Sequence, residues 1–73
     1  MTKETAQQII DLAARHAKIA TGRPGSQDFA CAKHSFRTGD YEYAARQARA
    51  SLRESVGHDH PDYRAAAALT EGI

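Results

Sequence analysis

Tryptophan is absent from this chain of 73 residues, cysteine and methionine occur once each, and proline twice. A single cysteine, Cys31, cannot close an internal disulfide, and no spacing of cysteines and histidines for a structural zinc site accompanies it. Such a chain suits a reducing interior, so a cytoplasmic location is the expectation. No stretch approaches the roughly 18 apolar residues of a membrane span, and no signal-peptide core is present, which sets aside membrane spanning and secretion. Ten basic residues against nine acidic ones leave a net charge of +1. No overall field then draws the chain to nucleic acid or to a membrane, and charge-led binding must come from local patches. Valine, isoleucine and threonine are too scarce to populate a sheet.

Alanine is what the chain does have, making up half of its apolar residues. With glutamine, arginine and glutamate it favours helices that approach closely around a thin core. The fold expected is all-α, a compact four-helix antiparallel bundle in one small domain spanning residues 1–73. Ala6, Ile9, Ile10, Ala13, Ala17 and Ala20 recur at steps of three and four, predicting a first helix over about residues 3–20. Gly22-Arg23-Pro24-Gly25 should stop it, and Ser26 suits the N-cap of a second helix over about 27–38 with Asp28 in its first turn. Gly39 and Asp40 then end one helix and cap the next within two residues, which forces an antiparallel hairpin. The third helix, about 41–56, carries Tyr41, Ala44, Ala45, Ala48 and Leu52 on one face and Glu42, Arg46, Arg49 and Arg53 on the other. Gly57 is its stop, Asp59 or His60 a cap, and Pro61 the first residue of a fourth helix over about 61–69. At a period near 35, Ile9, Ile10, Ala13, Ala17 and Gly22 align with Ala44, Ala45, Ala48, Leu52 and Gly57, a spacing in the range of helical repeats.

The second helix, the Gly39-Asp40-Tyr41 turn and the third helix resemble one tetratricopeptide repeat of the kinesin light chain type, over roughly residues 28–62. Cys31, Ala32 and Phe36 fall at packing positions of the first repeat helix, and Ala44 on the small residue where the two helices touch. Val56-Gly57-His58-Asp59-His60-Pro61-Asp62 is similar to that family's linker. Ser35 and Ser51 depart from it, standing where tyrosine and alanine are usual. The resemblance implies TPR-like helical hairpins and a protein–protein interaction module, an adaptor or inhibitor rather than an enzyme. Two repeats' length is too little for an open solenoid, so the chain should close into a bundle, dimerise or bind. Met1 and a capped first helix favour a complete chain over a piece of a longer array.

In such repeats the first helix lines the peptide groove, which here implies Phe29, Lys33 and Arg37 as contacts for an acidic peptide or protein surface. The plainer alternative is a solvated face with Phe29 in the core. Arg46, Arg49 and Arg53 form a basic stripe, diluted by Glu42 and Glu54 and read first as solvated surface. No stacking aromatic platform joins it, so nucleic acid is not favoured. His58, Asp59, His60 and Asp62 could hold a divalent metal, but capping chemistry explains the same letters, and no metal or cofactor is expected. Arg53 and His58 match the spacing of HEPN-type ribonucleases, an enzymatic alternative. Another is a homodimer packed through Ala65 to Ala68. His16 and His34 read as packing or surface residues, and Cys31 as a small buried one.

Overall fold

The computed structural model describes residues 1–17 and 26–71. The described residues form four helices: α1 (Lys3–Ala17), α2 (Ser26–Arg37), α3 (Tyr41–Val56) and α4 (Pro61–Leu69). The all-α expectation holds, and the described residues contain no strand. The predicted end of the first helix near residue 20 and its Gly22-Arg23-Pro24-Gly25 stop lie outside the described residues. Ser26 proves to be the first helical residue of α2 rather than the flanking cap, a shift of one position.

The turn between α2 and α3 follows from its two residues. Gly39 takes φ +88°, its N–H donates to the Phe36 carbonyl at 3.2 Å, and the Asp40 N–H reaches back to the Ser35 carbonyl at 2.9 Å. This paired closure is the Schellman ending that a left-handed glycine makes easy. Asp40 then starts α3, its carboxylate accepting from the Tyr43 N–H at 3.2 Å. Gly57 (φ +86°) ends α3, donating its N–H to the Arg53 carbonyl. Pro61 opens α4, and of the two expected caps it is His60 that acts, Nδ1 accepting from the Asp62 N–H at 3.1 Å.

Ile9, Ile10 and Ala13 of α1 meet Ala32 of α2, Ala44, Ala45, Ala48 and Leu52 of α3, and Ala66 of α4 in one buried cluster, and Ala6 is buried as well. Of the positions aligned at the period of about 35, Ile9, Ile10 and Ala13 of α1 and Ala44, Ala45, Ala48 and Leu52 of α3 are core positions, Gly57 is the stop of α3, and Gly22 lies outside the described residues. Half-buried Phe29, Phe36, Val56 and Tyr63 close the margins. α3 packs most extensively, on α1 and α2, while α4 touches α1 and α3 but not α2. The radius of gyration, 10.6 Å, is close to the about 11 Å expected of a compact chain this long.

Cys31 is exposed, which corrects its expected burial. The inward line of α2 runs through Phe29, Ala32 and Phe36 with Ser35 beside it, and Cys31 sits about 100° around the helix from Ala32. The two departures from the repeat pattern, Ser35 and Ser51, are both buried. Of the alanines proposed to pack on a second copy, Ala66 is consumed by this chain's own core, while Ala65 and Ala68 are exposed.

Candidate functional site

α2 places Lys33 and Arg37 one turn apart, and α1 places Gln7 and Ile10 against them. Together with Phe36 these residues line a shallow, open depression of about 250 Å³ between the two helices. Ile10 is almost fully buried and forms its floor. A second depression of about 410 Å³, lined by Lys3, Glu4, Gln7, Gln8 and Phe36, continues it toward the start of α1, since both share Gln7 and Phe36. Lys3 Nζ stands 6.0 Å from the Phe36 ring centroid, and the ring packs edge to face on Tyr41 with centroids 5.3 Å apart. Lys33 Nζ lies 5.2 Å from the Phe29 centroid, within the range of a cation–π contact.

Of the residues expected to bind, the structure therefore brings Lys33 and Arg37 into one groove and leaves Phe29 beside it. The aromatic of the groove itself is Phe36, which the sequence reading had placed in packing only. Among the described residues no carboxylate forms an ion pair with Lys3, Lys33 or Arg37. Among the described residues, Glu4 is the lone acidic group lining either depression. The groove sets Lys3, Lys33 and Arg37 around an aromatic ring, an arrangement able to meet anionic groups.

Arg46, Arg49 and Arg53 share a small pocket of about 80 Å³ with Ala50 and Tyr63. Two of the three guanidinium groups are engaged. Arg46 pairs with Glu42 at 3.0 Å, and Arg49 donates to the Thr70 hydroxyl at 2.8 Å, tying α3 to the end of α4. Arg53 and His58 make no hydrogen bond or ion pair with each other; His58 packs its ring on Tyr63 instead, centroids 5.4 Å apart.

The histidine-rich linker divides in two. Asp59, fully exposed, lies 3.8 Å from Arg64, a contact of small energetic weight. His60 and Asp62 turn inward and meet His16 from the last turn of α1. His16 Nε2 and Asp62 Oδ2 are 2.7 Å apart, Arg15 approaches Asp62 Oδ1 at 3.3 Å, and the rings of His16 and His60 meet edge to face at 4.9 Å. Because a carboxylate only accepts, His16 carries its proton on Nε2 in this contact. The hydrogen bond from His16 holds the Asp62 carboxyl below the ordinary carboxylate value, with Arg15 adding in the same sense and burial working against both. Sequence reasoning put His60 and Asp62 together in the linker but missed His16, which reads as a packing or surface residue 46 positions from Asp62. The one available signal was a basic last turn in α1 and an acidic first turn in α4.

In comparisons with family models, curated proteins and solved structures, nothing matches this chain.

Proposed function

We propose that the chain is a small non-enzymatic interaction module, an adaptor or inhibitor built of TPR-like helical hairpins, whose α1/α2 groove takes an acidic peptide or the acidic surface of another protein. The observation that carries this reading is the convergence of Lys3, Lys33 and Arg37 on one groove around Phe36, with no ion-pair partner for any of the three among the described residues. Unpaired cations around a half-buried ring favour a carboxylate-bearing segment with an apolar side chain, the carboxylates meeting the cations and the apolar group covering Phe36 and Ile10. Lys33 and Arg37 serve as the central charges and Phe29 steadies Lys33 from the side.

A panel of fluorescent peptides rich in glutamate and aspartate with one aromatic or leucine, titrated by anisotropy, tests this. Binding should weaken with salt, and the Lys33→Glu, Arg37→Glu double variant should lose at least about tenfold in affinity, roughly 1.4 kcal/mol. Equal binding of acidic and basic peptides, or equal binding by wild type and the double variant, would remove the groove assignment.

A further inference from the structure

His16, His60 and Asp62 come from two helix ends that are distant in sequence, and one ligand atom from each lies within 4.8 Å of the other two. All three residues are half-buried, and they sit at the far end of α1 from the groove of Lys3 and Gln7. We infer that this cluster is a binding site for a divalent transition-metal ion, Zn²⁺ being the best match, with two imidazole nitrogens and one carboxylate oxygen as ligands and water in the fourth position.

The donor set selects the metal. Two imidazoles and a carboxylate suit zinc, whereas calcium and magnesium take shells of oxygen. Bonds of about 2.0–2.1 Å to a tetrahedral ion set ligand atoms roughly 3.3 Å apart. The 2.7 Å between His16 Nε2 and Asp62 Oδ2 therefore has to open by a few tenths of an ångström, and the longest ligand separation, at most 4.8 Å, has to close by no more than about 1.5 Å. Rotation of half-exposed side chains on anchored helix ends supplies both changes. Asp62 presents Oδ2 to this site while Arg15 holds Oδ1, so the carboxylate is oriented by an outer partner as metal-bound carboxylates generally are. Coordination displaces the proton that His16 Nε2 carries and competes with the capping bond from the Asp62 N–H to His60 Nδ1. That competition places the site among moderate zinc binders rather than among the closed structural sites that fold only with metal. His58 and Asp59, neighbours in the linker, are not part of the cluster.

The experiment is titration of the untagged, chelator-treated chain with Zn²⁺ by calorimetry, with Co²⁺ as a spectroscopic substitute. One ion per chain is expected, with the intense visible absorption of four-coordinate Co²⁺ and a thermal midpoint that rises with Zn²⁺ concentration. His16→Ala and Asp62→Asn should each weaken binding at least about tenfold, the lower end of what even an outer partner of a metal site contributes. His60→Ser keeps a side chain able to cap α4 while removing the imidazole, and should weaken binding to the same extent with the helical circular dichroism retained. His58→Ala and His34→Ala should bind as the wild type does. The inference is overturned if no saturable binding is seen up to about 1 mM Zn²⁺, if Co²⁺ shows the weak bands of a six-coordinate ion, or if His60→Ser binds as tightly as wild type. Loss of binding in His58→Ala overturns it as well, because the metal would then be held by the exposed linker.

Discussion

At the scale of single residues, Asp62 carries more of this molecule than its place in a first helical turn suggests. It accepts from or pairs with His16 and Arg15, and its own N–H is capped by His60, so one residue gathers contacts from α1 and from its own helix start. Its carboxyl titrates below the 3.8 it would show in the unfolded chain, chiefly through the His16 hydrogen bond. The sign follows directly: the folded state holds the ionised form more strongly, so the contribution to stability is complete above 3.8 and is lost as pH falls through the lowered folded value. Metal-free protein, unfolded by urea at a series of pH values, should lose stability from about pH 4 downward. Asp62→Asn should be less stable than wild type near pH 6, and the gap should narrow as the pH drops below 4, since the wild-type carboxyl is then protonated too. A constant gap across that range would show that Asp62 contributes through shape alone.

The helical elements are set by their ends as much as by their apolar stripes, and Gly57 is the clearest instance. Its φ of 86° and ψ of 174° lie in a region that residues with a Cβ scarcely enter. A Cβ built there would meet nothing within 4 Å, so a substitution strains the backbone without any clash. Gly57→Ala should therefore cost about 1–3 kcal/mol in urea unfolding. Gly57→Asn should recover little, because asparagine tolerates the left-handed helical basin with ψ near +47° and not the extended one. A loss below about 0.5 kcal/mol for alanine would mean that the α3–α4 linker relaxes around the new residue.

These ends are also where the sequence was most legible. Gly39 with Asp40, and Gly57 with Pro61, are short-range signals: each acts within one turn of itself, so the letters suffice. The apolar stripes of α1 and α3 were legible for the same reason, because period alone assigns a face. What escaped were pairings between elements. Phe36 reads as packing and lines the groove, Cys31 reads as packing and faces solvent, and His16 reads as a packing or surface residue and meets Asp62. A position 100° off the stripe, or a contact 46 residues away, depends on how helices rotate and dock, which local propensity does not encode.

As a whole molecule, the chain has a thin core, and it is unevenly shared. A chain of this size buries only about 60% of its unfolded surface, and here alanine fills most of the buried positions. α1 and α3 sit in the middle, each packed on three other helices or carrying four of the buried apolar side chains. α4 is the shortest helix, adds Ala66 alone to the fully buried apolar set, and is held besides by the Asp62 cluster at one end and by Arg49 on the Thr70 hydroxyl at the other. Both tethers are polar, so α4 is held by far less apolar burial than α1 or α3. Local opening of α4 should then precede opening of the rest. In native-state hydrogen exchange, the amides from Arg64 to Thr70 should exchange at least about tenfold faster than those of Ala48 to Leu52, equivalent to roughly 1.4 kcal/mol less protection. Asp62→Asn should speed α4 further while leaving the centre of α3 nearly unchanged. The α1/α2 groove does not involve α4, so binding there should protect α1 and α2 without slowing exchange in α4 to the same degree. Uniform exchange rates across all four helices, rising together in the variant, would show instead that the bundle opens as one cooperative unit and that α4 is integral to it.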